Sequence, residues 1–374
     1  MIALQILTLL FTITLSSSWK VLTMENDVGY NFQDISSSVA CDQFFHGTPW
    51  PMPVNSSNLG VVKLCQNQVG IQDQTIVFAT LFSSTDRIPL YTAYTVSLTP
   101  GGKEYKRPSS EYWHRVSVGL CNLKDLPVSP ILSMIGHKPR RPLHECGKYQ
   151  AIWTDYEDNG MHLDRGHLCP NFINSQDRTK QLGTFTLTNA APQYAEFNEH
   201  SWWKYECITH FAVINLVPNE KVFLMTGTYG NAVDEYGNPV WLNINGEHGK
   251  NPVRVPGYYW KAVCYPGNAA VGKPAWAYAV VQKNENKLKK ASFKSFISLK
   301  EFANQYFHDL PFGDSCINAP FGEFGQYLSK DAFDNIMKHY CGGNWTRICG
   351  KLPLNTKFSC TMIPHLIHIA DLKI

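Results

Sequence analysis

Residues 164–206 bring an imidazole, a guanidinium, amides and carboxylates together at short spacings. The stretch begins with the run Asp-Arg-Gly-His at 164–167. Histidine side chains titrate near neutral pH, so His167 can act as a general base. Arg165 can donate two parallel hydrogen bonds to the oxygens of an oxyanion. This pairing suits hydrolysis of a phosphodiester, because that reaction needs an activated water and neutralisation of the charge on the phosphate.

The spacings predict which side chains share a face. Arg165 and His167 are two residues apart on an extended segment and project to the same side, while Gly166 permits close approach of the backbone. Asn198 and Glu206 are eight residues apart, which places both on one face of a helix. Their oxygens suit a hydrated Mg²⁺, with Asn198 as the direct ligand and Glu206 as an outer acceptor for bound water.

Each residue has a structural interpretation when it is taken alone. An Asp-Arg pair is commonly a surface ion pair, Asn189 before Ala190-Ala191-Pro192 can be a turn residue, and Asn198 can be a helix N-cap. The order and spacing of the whole set favour the catalytic interpretation.

The elements that must position these residues are strands and helices in alternation. Alternating or continuous apolar runs predict strands at 75–79, 90–96, 184–187, 221–225, 258–263 and 275–281. Helices are predicted at 198–207, at 329–340, and from the capping box Ser298-Leu299-Lys300-Glu301 to about Leu310. The pattern indicates an α+β protein with one main domain.

Composition narrows the class of protein. The 374 residues are 44% hydrophobic and 17% charged, which excludes a disordered chain. Lys+Arg 33 against Asp+Glu 30 gives a net charge of +3, so binding to a nucleic acid would have to be local. A patch of lysines and arginines is a candidate for it, namely Lys103, Lys106, Arg107, Arg140, Arg141, Arg178 and Lys180, although a solvated charged face explains its more distant members equally well.

The termini and cysteines indicate a secreted protein. An apolar run at 2–15 that ends in three serines predicts a signal peptide at 1–18, with a buried N-terminal element as the alternative. No later segment resembles a membrane anchor. The 11 cysteines lack CxxC spacing and imply up to five disulfides with one thiol left over. Glycosylation sequons at Asn55 and Asn344 agree with secretion.

We expect an N-terminal extension at 19–70, a main domain at 71–310 and a helical, Cys-containing tail at 311–374.

Three motifs in this order resemble the DNA/RNA non-specific endonuclease family. They are 164–167, the run Thr-Asn-Ala-Ala-Pro-Gln at 188–193, and the set Asn198, Trp202 and Glu206. Residues 87–94 and 255–261 resemble its secreted endonuclease domain-containing 1 branch, and the resemblance spans about 60–310. It implies a disulfide-stabilised ββα-metal (His-Me finger) fold, with a central antiparallel sheet flanked by helices.

The resemblance also implies roles for the site residues. His167 would be the general base, and Asn198 the single protein ligand of a hydrated Mg²⁺ (or Mn²⁺ or another divalent cation). Glu206 would orient a metal-bound water, and Arg165 would contact the phosphate.

Three further residues receive supporting roles from the resemblance. Asn189 would support the histidine or the metal shell, and Asp164 would orient the motif rather than bind metal. A second phosphate-binding arginine would be Arg107, thirteen residues after Tyr94. Cys169 departs from the pattern: it either pairs in a disulfide, with Cys207 as one partner, or is the unpaired cysteine.

The expected function is therefore metal-dependent hydrolysis of DNA and RNA without sequence preference, because contacts to the phosphate backbone carry no direct sequence information. Two alternatives remain. One is a catalytically inactive extracellular binding protein on a nuclease scaffold, and the other is a phosphodiesterase for short nucleotides. The oligomeric state is not indicated.

Overall fold

A computed structural model describes residues 32–34, 39–47, 49–56, 60–67, 76–108, 113, 149–156, 160–242, 252–287, 291–292, 295–309, 311–319 and 330–341. Several predictions concern residues outside these ranges: the signal peptide at 1–18, the sequon at Asn344, and Arg140 and Arg141 of the basic patch. None of the helices in the described ranges is long and apolar enough to cross a membrane.

Antiparallel strands dominate the fold. In the described ranges they are β1 (Phe32–Asp34), β2 (Val61–Asn67), β3 (Ile76–Ser83), β4 (Ile88–Val96), β5 (Leu163–His167), β6 (Ala190–Tyr194), β7 (Val222–Asn231), β8 (Trp241–Leu242), β9 (Val253–Arg254), β10 (Pro256–Tyr265), β11 (Trp276–Lys283) and β12 (Phe296–Ile297). Eight of them form one sheet in the order β1-β2-β3-β4-β7-β10-β11-β12, and β5-β6 and β8-β9 are separate pairs. Two strands of the large sheet thus come from the region predicted as an N-terminal extension.

Helices cover the sheet. They are α1 (Trp153–Tyr156), α2 (Arg178–Gly183), α3 (Trp203–Leu216), α4 (Leu299–Tyr306), α5 (Asp314–Ile317) and α6 (Lys330–Asn335). A π-helical segment, Phe197–Trp202, runs directly into α3, and a second one, Ile336–Tyr340, follows α6. The structure is α+β, as the sequence predicted.

Both faces of the sheet are buried. Along β10, Tyr259 and Val263 contribute to the core on the α3 side, whereas Trp260 and Ala262 contribute to the core on the α4 side. Successive side chains of a strand point to opposite faces, so a strand between two apolar layers is apolar throughout. All nine residues of β4 are accordingly buried.

Most predicted elements are confirmed, with longer strands than expected. The strand predicted at 184–187 is wrong, because α2 ends at Gly183 and a 3₁₀ turn, Leu187–Asn189, follows. Threonine hydroxyls there bond locally, from Thr184 Oγ1 to the carbonyl of Gln181, which stabilises a turn despite the β-like composition. The predicted capping box is present, since Ser298 Oγ accepts from the Glu301 N–H at 3.1 Å, but its helix ends at Tyr306.

Disulfides join distant elements. In the described ranges they are Cys41–Cys65, Cys207–Cys341 and Cys264–Cys316. Cys169 is a free, buried thiol, so the suggested pairing of Cys169 with Cys207 is wrong. The bond from Cys207 attaches the segment after α6 to α3.

A buried ion pair fixes the segment that leads into β5. Arg87 has a φ of 61°, and its Nη2 lies 2.5 Å from Asp155 Oδ2 in α1. Its Nε and Nη2 also donate to the carbonyl of Gln150 at 3.1 and 3.0 Å. The turn between β3 and β4 thereby holds the chain a few residues before the candidate site begins.

Candidate active site

Two short strands and a helix position the candidate residues. β5 and β6 pair antiparallel, with Asp164 opposite Gln193 and His167 opposite Ala190. The helical segment that contains Asn198 follows β6 directly. A Cβ on Gly166 would collide with the side chain of Gln193, which is a direct steric reason for glycine between Arg165 and His167.

His167 lies between two aromatic rings at the end of β5. Its ring centroid is 4.4 Å from that of Trp113 and 4.9 Å from that of Phe185, the latter in an edge-on arrangement. Its Nε2 is buried and makes no hydrogen bond to any described residue. This nitrogen therefore has a hydrogen-bonding position that no described residue uses.

Two arginines flank the same rings. The Arg165 Cζ lies 5.4 Å from the Trp113 ring centroid, and the Arg107 Cζ lies 5.6 Å from that of Phe185. Burial, together with the positive charges of Arg107 and Arg165, lowers the pKa of His167 well below its usual value. His167 is therefore neutral at pH 7 and able to accept a proton.

The loop that carries Arg107 is fastened to α2 and the turn before it. The amide of Gln176 bonds both backbone groups of Thr99, and the Tyr105 N–H donates to the carbonyl of Ser175 at 2.8 Å. Gln181 Nε2 donates to the carbonyl of Tyr105, and Arg178 Nη1 donates to that of Lys106, both at 2.9 Å. These bonds fix an irregular segment and so position Arg107 beside Phe185.

Asn198 lies inside the π-helical segment rather than at a helix start, so its interpretation as an N-cap is wrong. Its Nδ2 donates to Asp164 Oδ2 at 2.9 Å. The bond fixes which end of the amide faces Asp164 and leaves the carbonyl oxygen, Oδ1, as an acceptor on the opposite side.

Glu206 occupies the first turn of α3, near two positive charges. Burial raises the pKa of Glu206 to about 7, and Lys261 and Arg107 oppose that rise. Arg107 also interacts electrostatically with Asp164. Arg107 therefore interacts electrostatically with His167 and Asp164 on β5 and with Glu206 on α3. These groups form one electrostatic site.

Asn189 lies behind the site and is completely buried. Its Oδ1 accepts from the Cys169 N–H at 2.8 Å, and its Nδ2 donates to the carbonyls of Cys169 and Thr184 at 3.0 and 2.9 Å. The Leu168 N–H also donates to the Asn189 carbonyl. The Asn189 side chain thus bonds to backbone just after His167.

Sequence reasoning missed Trp113 and Phe185, the rings beside His167, and the buried Lys261, whose charge acts on Glu206. The aromatic residues lie outside the three motifs, and their spacing gives no signal. Lys261 could have been found from the sequence, because it is the single charged residue in an otherwise apolar predicted strand at 258–263. Such a charge, once buried, requires partners.

Comparison with known proteins agrees with the motifs. Residues 141–316 match the family described as DNA/RNA non-specific endonuclease. The chain is 30% identical over 246 residues to the human endonuclease domain-containing 1 protein, and the match covers 65% of this chain but 41% of that relative. A solved structure of the EndoG/EndoGI complex is similar at a TM-score of 0.43 and 15% identity, over 62% of this chain and 82% of that one.

Proposed function

We propose that the chain is a member of the DNA/RNA non-specific endonuclease family, which residues 141–316 match, and that it is a secreted endonuclease of the ββα-metal fold that hydrolyses phosphodiester bonds of DNA and RNA with a divalent cation. The observation that carries the proposal is the state of His167. Its imidazole is neutral, and its Nε2 is unbonded to the described residues and flanked by two arginines. This combination suits a base that must work next to a phosphate anion.

His167 supplies the base. A water molecule bonded to Nε2 would attack phosphorus through its oxygen while the imidazole takes its proton. The bond from phosphorus to the 3′ oxygen would break, which leaves a 5′-phosphate and a 3′-hydroxyl that takes its proton from solvent. The rings of Trp113 and Phe185 confine the imidazole, which limits its orientations and lowers the entropic cost of the attack.

Arg165 and Arg107 supply positive charge for the phosphate. Each guanidinium donates several N–H groups in a fixed fork, which matches the oxygens of a phosphate. Their positions on the aromatic rings beside His167 place this charge next to the base. Contacts of this kind follow the sugar-phosphate backbone, so we expect cleavage without sequence preference.

The donor set fits a hard divalent cation such as Mg²⁺ or Mn²⁺. Asn198 presents Oδ1 because its Nδ2 is bonded to Asp164, and the Glu206 carboxylate can accept hydrogen bonds from metal-bound water. When bound, the cation would stabilise negative charge on the phosphate and on the leaving oxygen. Asp164 fixes the Asn198 amide and is not itself needed as a ligand.

The arrangement of other charges favours polymeric substrates. Lys103 Nζ and Arg178 Cζ lie 4.9 and 6.0 Å from the ring centroid of Tyr105, on the same loop as Arg107. These groups provide positive charge beside the site, where flanking phosphates of a long strand would pass. The disulfides support a secreted location.

The test is cleavage of a supercoiled plasmid and of a long RNA by the purified, oxidised protein, with Mg²⁺ and with EDTA. We expect cation-dependent nicking by wild type and a loss of at least about 10²-fold for His167→Ala, the usual contribution of a general base. The matched control is His308→Ala, an exposed histidine, which should retain wild-type activity.

Two results would contradict the proposal. Well-folded wild type that binds DNA but cleaves nothing with any divalent cation would support the inactive binding protein. Hydrolysis of a dinucleotide without cleavage of plasmid or long RNA would support the phosphodiesterase for short nucleotides.

A further inference from the structure

The helical run that carries Asn198 and Glu206 contains a π turn. Residues Phe197–Trp202 are π-helical, and the N–H of Trp203 donates to the carbonyl of Asn198, five residues earlier. The regular helix α3 begins at Trp203 and has Glu206 in its first turn. A π turn encloses one residue more than an α-helical turn, is rare, and occurs frequently at functional sites.

The extra residue changes the angle between two side chains around the helix axis. A regular α-helix turns by about 100° per residue, so side chains eight residues apart would lie about 80° apart around the axis. When a π turn takes up one of the eight residues, the rest cover the rotation of about seven α-helical residues, which is within about 20° of two full turns. Asn198 and Glu206 are eight residues apart, and the π turn therefore brings them onto one side of the helix.

Aromatic packing holds the π turn. The ring centroids of Phe197 and Trp202 are 5.7 Å apart, although the two residues are five positions apart in the sequence. On a regular α-helix, side chains at this spacing point about 140° apart and cannot pack against each other, whereas a π turn puts them on one side. Both rings also pack against Tyr259 of β10, at centroid distances of 5.9 and 5.8 Å. All three side chains are buried, so the sheet supports the wider turn.

We propose that Trp202 is a positioning residue for the metal site, because its contacts with Phe197 and Tyr259 hold the π turn that aligns Asn198 with Glu206. The inference rests on the proposed function for the role of the cation, and it gives a role to the third residue of the motif formed by Asn198, Trp202 and Glu206. A tryptophan needed only for burial could pack on Phe197 from four residues away on a regular α-helix. Trp202 packs from five residues away, which requires the wider turn.

The test begins with Trp202→Leu, which keeps an apolar side chain and removes the ring that packs on Phe197. The helix should then return to α-helical geometry, in which Asn198 and Glu206 are no longer aligned. Affinity for Mn²⁺ alone is measured by electron paramagnetic resonance on the oxidised, DNA-free protein. We expect Trp202→Leu to bind Mn²⁺ about 10- to 100-fold more weakly than wild type, the usual effect of losing a residue that orients a metal ligand.

Deletion of His200 separates the π turn from the tryptophan itself. His200 is exposed and lies inside the π turn, so its removal leaves Asn198 and Glu206 seven residues apart, a spacing that a regular α-helix aligns. Combined with Trp202→Leu, the deletion should therefore restore Mn²⁺ affinity. Two changes that only damaged the fold would instead add their effects. His200→Ala is the matched control, because it keeps the length of the chain and should not restore binding in Trp202→Leu.

A second pair of variants covers the case in which Trp202→Leu does not fold. With Trp202 in place, deletion of His200 should leave Mn²⁺ affinity unchanged. Insertion of one alanine after His200 should lower it about 10- to 100-fold, because the spacing then exceeds what one π turn aligns. Damage caused by any change of chain length would affect both variants alike.

Crystal structures of the metal-free variants give a readout that needs no cation. In Trp202→Leu we expect the N–H of Trp203 to donate to the carbonyl of Glu199, four residues earlier, in place of Asn198. A retained π turn or wild-type Mn²⁺ affinity in folded Trp202→Leu overturns the inference, and so do equal losses in the deletion and insertion variants or an Mn²⁺ affinity that Asn198→Ala does not change. Absence of cleavage by wild type that binds Mn²⁺ through Asn198 overturns the proposed function instead, because binding needs no substrate.

Discussion

The substitution Asn189→Ala tests whether the Thr-Asn-Ala-Ala-Pro-Gln motif at 188–193 acts through backbone structure or through substrate contact. The Asn189 side chain makes three hydrogen bonds, at 2.8, 3.0 and 2.9 Å, and all three go to backbone groups around Cys169 and Thr184. Alanine removes them and leaves a buried N–H and two carbonyls without these partners. We therefore expect a loss of stability together with a loss of activity.

The expected magnitude follows from the number of bonds. Three buried hydrogen bonds at about 1 kcal/mol each give a fall of about 3 kcal/mol in the free energy of unfolding. For domains of roughly 150–250 residues that corresponds to a fall in Tm of roughly 6–12 °C. Movement of the backbone after His167 by about 1 Å would reduce cleavage by about 10²-fold, even well below the Tm.

The assay pairs thermal unfolding with plasmid cleavage at a temperature where each variant is folded. Asn215→Ala is the matched control, since Asn215 is exposed and donates one hydrogen bond to its own helix at Phe211; its Tm should change little. Asn189→Ala with wild-type Tm but lost activity would refute the reasoning, because it would place Asn189 in contact with the substrate.

Two further predictions concern stability. Arg87→Met should lower the free energy of unfolding by about 3–5 kcal/mol, because the buried Asp155 carboxylate loses the guanidinium that balances its charge; a loss under 1 kcal/mol in urea unfolding would contradict this. Burial lowers the pKa of His210 to about 4, so the unfolded chain binds the extra proton as the pH falls from about 6.5 to 4. Stability should fall by up to about 3 kcal/mol over that window, and His210→Gln, compared by urea unfolding at each pH, should remove this part of the dependence.

Most candidate residues could be chosen from the sequence because they lie on short local segments. Asp164, Arg165 and His167 belong to one short strand, and Asn198 and Glu206 belong to one helical run. Contacts inside such segments follow from local periodicity. The strand prediction at 184–187 failed for the opposite reason, since tertiary burial of Phe185 and Leu187 produces an apolar alternation in a turn.

Contacts between distant segments could not be predicted from the sequence. Nothing in the spacing shows that Trp113 and Phe185 enclose His167. Nor does it show that Lys261, on a strand more than fifty residues after Glu206, interacts with it electrostatically. Arg107 could be identified by counting from Tyr94. Its position, however, depends on hydrogen bonds that Gln176, Gln181 and Arg178 donate to the backbone of its loop. Long-range pairing of this kind is set by topology rather than by local pattern.

The cations of the site have a second effect besides contact with a phosphate. Burial lowers the pKa of His167 and raises that of Glu206, whereas Arg107 lowers both. A positive charge therefore favours a neutral imidazole at His167 and an ionised carboxylate at Glu206, the forms that the proposed reaction requires. When a phosphate arrives, its negative charge offsets the arginines and raises the proton affinity of His167. In the proposed mechanism, His167 is therefore unprotonated before the substrate binds and becomes more basic once the phosphate is bound.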